Sequence, residues 1–322
     1  MPPFPDPLTA IFRRVAGAAL IAVGLAATTG AAAACRFTKV GTLAVDVSTS
    51  GPLIDGAING QPMRVSVDIG STATHIDRAT AERAKLTLQH TQFVLYGTAG
   101  ETRAYRALAD EISFGPLRWQ RAGIGVAWDD QGPSRRQAVL AADYLLQTDL
   151  EMVLADRQLR FFRPDGCADA FLAYWDEQAA ELSMVERNAQ DRRAVVEVQL
   201  NGKPVRAIFS SSSPTSVIDQ AAARRAGVQM PEGAPPLWPG RFDSIDFGTE
   251  SIRNTQVLVT DRWAAYRRKH SSWDDAERVA GQPEMIIGLD FLKVHRVLFS
   301  SSQGRVYLSH LGGPVFSLGD PP

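Results

Sequence analysis

Two stretches of alternating apolar and polar residues, 53–58 and 194–200, each run into an Asn-Gly pair, Asn59-Gly60 and Asn201-Gly202. Period-two alternation predicts a strand buried on one face. Asn-Gly predicts a tight hairpin, because both central residues of that turn need positive φ. A second strand should follow in each place, over residues 63–69 and 205–209. Next comes a Ser/Thr-rich turn, then Asp77 or Asp219 as the N-cap of a short Ala-rich helix.

The two stretches are copies. Asn59-Gly60-Gln61-Pro62-Met63-Arg64 returns as Asn201-Gly202-Lys203-Pro204-Val205-Arg206, 142 residues later, and 11 of the 26 positions from Asn59 to Ala84 are identical without a gap. Ile112-Ser113-Phe114-Gly115 matches Ile245-Asp246-Phe247-Gly248. Val139-Leu140-Ala141-Ala142-Asp143-Tyr144-Leu145 matches Ile286-Ile287-Gly288-Leu289-Asp290-Phe291-Leu292. Two further strands close each copy, over 150–154 with 159–162, and over 297–300 with 306–308. A repeat of this length makes the chain two mostly-β lobes of one design, related by an approximate two-fold axis. The lobes span 35–162 and 194–322. Residues 163–193 connect them, with one short helix expected around Phe171-Leu172-Ala173-Tyr174-Trp175.

Residues 1–34 stand apart. Arg13 and Arg14 precede an apolar run over 15–27, and small residues lead to Ala34-Cys35. Positive region, short apolar region and small cleavage residues predict a secretory signal peptide and a periplasmic or secreted protein. No later segment is apolar enough to span a membrane. The chain has two cysteines, Cys35 and Cys167. In an oxidising compartment an even pair reads as one disulfide. The competing reading lipidates Cys35, but Ala32 stands where that processing needs a bulky aliphatic residue.

Charge narrows the partners. With 34 basic and 35 acidic residues the formal charge is -1, which disfavours a nucleic-acid binder. His75, His90, His270, His295 and His310 are scattered, with no His-Glu-x-x-His spacing, so neither a metal nor a cofactor is expected. The run Ser210 to Ser213 lacks the Gly-x-Ser-x-Gly elbow of a serine hydrolase.

Val67-Asp68-Ile69-Gly70-Ser71, the helix after it, a Gly-rich hairpin and the apolar-apolar-Gly-x-Asp-Phe-Leu series at 286–292 together resemble the retropepsin-like aspartic peptidases. The resemblance covers about residues 53–308 and implies two fused β-barrel lobes. It implies hydrolysis of an extended peptide, with Asp68 as the water-activating base and Ile69, Gly70 and Ser71 forming its loop. Tyr96, Gly97 and Thr98 would belong to a flap over the substrate. The Pro-rich segment 231–239, with Trp238, offers no matching hairpin. Such chemistry needs two carboxylates sharing a proton. Here Ser210 stands at the partner position, Ile69 replaces the hydroxyl that locks the two loops, and Ala141 replaces the glycine kept as Gly288. Two functions follow as expectations: an exported aspartic-type endopeptidase acting on peptide or protein, or a degenerate peptide-binding module of the same fold. Pairing Asp68 from two chains would make the first a homodimer.

Overall fold

The computed structural model describes residues 34–97, 100–128, 137–185, 191–264 and 281–316; for 92–97, 100–103 and 128 only the backbone is described. Residues 1–33 of the predicted signal segment and Thr98 therefore lie outside the described residues. The first lobe carries β1 (Arg36–Ala44), β2 (Asp46–Ser48), β3 (Gly51–Ile58), β4 (Gln61–Asp68), β5 (His75–Asp77), β6 (Leu88–Gly97), β7 (Gly100–Phe114), β8 (Leu117–Trp128), β9 (Ala138–Ala141), β10 (Asp149–Val153) and β11 (Gln158–Asp165). After β12 (Ala180–Ser183), the second lobe adds β13 (Val195–Leu200), β14 (Lys203–Phe209), β15 (Val217–Asp219), β16 (Leu237–Phe247), β17 (Glu250–Thr260), β18 (Met285–Ile287), β19 (His295–Ser300) and β20 (Arg305–His310). Short helices α1 (Arg78–Arg83), α2 (Ala142–Leu145), α3 (Gln220–Arg225) and α4 (Leu289–Leu292) follow β5, β9, β15 and β18.

The repeat governs the pairing. The second lobe closes as a six-strand barrel, β13-β14-β18-β15-β17-β16. The first closes the same ring, β3-β4-β9-β5-β8-β7, through the β3–β7 pairing, with β2 and β6 added at its sides. In each lobe the strand after Asn-Gly lies parallel to the short strand before the second helix: β4 on β9, β14 on β18.

Local chemistry explains why both copies fold alike. Asn59 and Gly60 take φ of 46° and 75°, and Asn201 and Gly202 take 48° and 73°, the double positive turn that Asn-Gly favours. Each asparagine also serves a neighbouring strand. Asn59 Oδ1 accepts the amides of Asp110 and Glu111, and Asn201 Oδ1 those of Asp243 and Ser244. The caps are as expected: Asp77 accepts the Thr80 amide and Asp219 the Ala221 amide.

The four terminal strands do not finish separate lobes. They join in one sheet ordered β1-β11-β10-β19-β20-β12, with β10 antiparallel to β19 across the lobe boundary. All five residues of β10 are buried, two of them acidic. Asp149 is satisfied by the Ser300 hydroxyl and by the amide and hydroxyl of Ser302. Glu151 is satisfied by Arg160, Arg296 and Tyr174.

The connector differs from expectation. Among the described residues of 163–193 there is no helix; 166–179 run as turns before β12. The reason lies in where the backbone and rings bond. Gln303 Nε2 donates to the carbonyls of Cys167 and Ala170, taking acceptors a helix would use. Tyr174 donates to Glu151, Trp175 to Ser309, and Phe171 meets Tyr307 edge-on. Leu172 and Ala173 are buried with Cys167, Leu298 and Tyr307. These side chains are spread over several partners, whereas a helix would gather them on one face. Cys35 and Cys167 form a disulfide, tying the start of β1 to this connector. No described helix is long and apolar enough to cross a membrane.

Candidate active site

Asp68 is the last residue of β4 and is 5% exposed. Its parallel neighbour β9 puts Ala141 beside it. The equivalent end of β14, Phe209, lies beside Ile287 of β18, so the next residue, Ser210, is brought to the same junction from the second lobe.

Four donors converge on the Asp68 carboxylate. The Gly70 amide donates to Oδ1 at 2.9 Å and the Ser71 hydroxyl to Oδ2 at 2.8 Å. From the other lobe, Ser210 Oγ donates to Oδ1 at 3.1 Å and Ser212 Oγ to Oδ2 at 2.6 Å. Ser210 Oγ and Ser212 Oγ are 3.4 Å apart, and the Ser212 amide donates to Ser210 Oγ. A carboxylate offers about four acceptor positions; here protein donors occupy that number.

The lock between the loops survives, built from one side. Ser211 occupies the position equivalent to Ile69. Its hydroxyl donates to the Val67 carbonyl at 2.7 Å and accepts the Ile69 amide at 3.2 Å. Ile69 contributes only its backbone here, while its side chain is fully buried in the apolar core.

Close packing sets which positions admit a side chain. Gly51, at φ 113°, faces the Ser211 carbonyl so closely that a Cβ would lie 2.1 Å from that oxygen. At Gly70 a Cβ would come within 2.7 Å of the Ser210 Cβ and 2.8 Å of the Phe209 carbonyl oxygen. Gly70→Ala should therefore force the two loops apart. The expected loss is about 1–3 kcal/mol, typical of overpacking, read as a lower denaturation midpoint by urea titration with the m-value unchanged. A midpoint equal to that of the parent would show that the loops are not held at this distance.

Behind the loops, a second repeated pair fixes the helices. Thr74 donates its amide and hydroxyl to Asp143 at the start of α2 and accepts the Ala141 amide. Ser216 does the same with Asp290 of α4 and the Gly288 amide. Burial pushes the Asp290 carboxyl above the usual carboxylate range, with the Ser216 donors pulling it back. A Cβ at Gly288 would sit 2.5 Å from the Thr215 carbonyl carbon, so the second lobe needs glycine there, whereas the first accommodates the methyl of Ala141 fully buried.

The structure thus brings together Asp68, Gly70, Ser71 and Ser210, with the Ile69 backbone. Sequence reasoning passed over Ser212 and Ser211. The signal for Ser212 was the 142-residue offset, which aligns it with Gly70: a side chain stands where the first copy has none. Tyr96 and Gly97 lie at the end of β6, paired with Glu101 and Gly100 of β7; among the described residues, the second lobe runs from α3 to β16 through turns and irregular backbone, without such a hairpin. Trp238 is a core residue, 3% exposed within β16.

A sequence profile described as Aspartyl protease matches the chain twice, over residues 54–142 and 196–291. None of the curated proteins compared matches it. Among solved structures it is similar to the aspartic proteinase from Irpex lacteus, at 11% identity and a TM-score of 0.50, over 87% of this chain and 98% of that one. At that identity the likeness concerns the fold. The profile runs through both lobes, in step with a cradle of strand, loop and short helix built twice, and on that footing the chain belongs to the aspartyl protease family.

Proposed function

We propose that the protein is an exported endopeptidase that holds an extended peptide between its lobes and hydrolyses it with Asp68 as the base. The observation carrying this reading is the burial of one carboxylate at the junction of the two lobes, where three hydroxyls and an amide orient it. An extended substrate fits the hairpin of β6 and β7, whose backbone can add hydrogen bonds to a strand-like peptide. Export is supported by the N-terminal run of Arg13-Arg14 and apolar residues and by the disulfide, which suits an oxidising compartment. Ser210 meets Asp68 within one chain, so the site needs no second copy.

The test uses the purified protein and its Asp68→Asn variant against a mixed peptide library between about pH 3 and 8. Loss of a positioned base lowers hydrolysis by about 10²–10⁴-fold. Equal cleavage by both proteins would remove Asp68 from the chemistry. A second reading, a peptide-binding module without turnover, is favoured by the filled acceptor positions of Asp68. It expects peptides to be retained uncut, with affinity indifferent to Asp68→Asn.

A further inference from the structure

We propose that Ser212 Oγ is the nucleophile of this site and that Asp68 Oδ2 is its base, so that peptide hydrolysis passes through an acyl ester on Ser212. The inference deepens the endopeptidase reading and rests on it for the acyl donor, a peptide carbonyl.

The geometry has the three parts an activated hydroxyl requires: nucleophile, base, and a group that orients the base. Ser212 Oγ lies 2.6 Å from Asp68 Oδ2, the shortest of the four contacts on that carboxylate. Asp68 is fixed from its own lobe by the Gly70 amide and the Ser71 hydroxyl. Ser210 receives the Ser212 amide and sits 3.4 Å from Ser212 Oγ. Four protein donors fill the four or so acceptor positions of the Asp68 carboxylate, which leaves none to hold an attacking water. A base in that situation takes its proton from a group already bonded to it, and Ser212 is the nearest. Ser71 is set apart by its role: it belongs to the Asp68 loop and anchors it, whereas Ser212 arrives from the facing lobe.

The steps balance. Ser212 Oγ forms a bond to the peptide carbonyl carbon as its proton passes to Asp68 Oδ2, and the carbonyl π pair moves onto oxygen. The Ser210 hydroxyl turns from Asp68 Oδ1 to donate to that oxyanion. On collapse the C–N bond breaks, its electron pair leaves with nitrogen, and Asp68 returns the proton to form the amine product. Solvent water then attacks the ester, giving a proton to Asp68. That proton passes to Ser212 Oγ as the ester bond breaks and the acid product leaves. One water is consumed per bond cleaved, and the protein is regenerated.

The test combines a covalent probe with a cleavage assay. The parent protein, Asp68→Asn, Ser212→Gly and Ser212→Thr are treated with a biotinylated fluorophosphonate, and the adduct is located by peptide mass spectrometry. All four are assayed on the same peptide library, with far-UV circular dichroism confirming that each is folded. The expected result is an adduct on Ser212 that forms at least ~10²-fold more slowly in Asp68→Asn, cleavage lost in Ser212→Gly, and partial recovery of both readouts in Ser212→Thr. An adduct on Ser212 without cleavage of any peptide would sink the endopeptidase reading and leave the nucleophile standing. Cleavage that persists or rises in Ser212→Gly, with no adduct in the parent, would overturn the nucleophile and leave the endopeptidase reading intact. An adduct whose rate ignores Asp68→Asn also overturns it, as does a parent protein that neither labels nor cleaves. Should Ser212→Gly not fold, the Asp68 dependence of labelling decides alone.

Discussion

The double variant Ser210→Asp, Ser212→Gly should cleave peptides in acid, with water as the nucleophile, and should no longer take up a serine-directed probe. Ser210 Oγ stands 3.1 Å from Asp68 Oδ1, so an aspartate there would face Asp68 across about one hydrogen bond. Two carboxylates that close cannot both ionise and hold one proton between them. The accompanying Ser212→Gly removes the hydroxyl bonded to Oδ2, which opens space for water and a free acceptor to hold it. Adding a positioned acid to a positioned base is worth about 10²–10⁴-fold in rate. The comparison is with the Ser212→Gly single variant, which lacks both the nucleophile and an acid beside Asp68. The pH profile should be bell-shaped on the acid side, reporting the pair and not either residue.

Stability should move with the same proton. The shared site raises the folded-state pKa of one carboxyl above the unfolded value of about 3.9. Between those two values the folded protein binds more protons, so stability falls as pH rises. Ser210→Asp should therefore be least destabilised near pH 4 and most at neutral pH. Each tenfold gain in proton affinity on folding corresponds to about 1.4 kcal/mol. Thermal midpoints at pH 4 and 7, taken against the parent at each pH, measure this. A difference that does not change with pH would mean the new carboxylate turns away from Asp68.

The sequence made the lobes legible for a definite reason. Asn59-Gly60, Asn201-Gly202, Asp77 and Asp219 carry their instructions in one or two residues, and those instructions recur at a fixed offset. The meeting of Asp68 with Ser210 could be read from the same offset. What joins the lobes could not. β10 and β19 are buried strands that mix apolar with polar and charged residues, and nothing local in Leu150 or Phe299 names the other as its partner. β1 is exposed at most of its positions and so shows little of the apolar signal that marks an element. The connector misled because Phe171, Leu172, Tyr174 and Trp175 look like a helical face. Their partners are Tyr307, Leu298, Glu151 and Ser309, brought there by the folded sheet. At the site itself, the serine run reads as a degraded motif until its side chains are placed. Then Ser211 is seen to hold the lock that Ile69 lacks, and Ser212 to bond Asp68 from the position where the other copy has glycine.

Glu151→Ala should be among the most destabilising single substitutions in the chain, because its carboxylate is fully buried where the lobes and connector meet. Arg160 of β11 donates to it at 2.5 Å, Arg296 of β19 at 3.1 Å to each oxygen, and the Tyr174 hydroxyl at 2.7 Å. Both guanidinium groups are themselves mostly covered, with side chains 17% and 19% exposed. Arg296 lies over the rings of Tyr174 and Trp175, 5.1 and 4.4 Å from their centroids, so it cannot swing out to water without giving up that stacking. Burial raises the Tyr174 phenol above its ordinary range, and the bond to Glu151 adds to the rise, so that contact is present at neutral pH and is lost as pH climbs through the raised value. Arg160 keeps Asp156 as a counter-ion, but Arg296 loses the carboxylate it holds; removing one partner of a buried pair in this way costs about 3–5 kcal/mol. For a domain of this size each kcal/mol lowers the thermal midpoint by about 2–4 °C, giving a drop of at least about 6 °C. The burial argument also fixes what a double-mutant cycle must show. In an Arg160→Met, Arg296→Met background the guanidinium groups that face Glu151 are gone, and the same Glu151→Ala change should cost far less. Equal losses in both backgrounds would trace the effect to the cavity left by the side chain and not to the charges it holds.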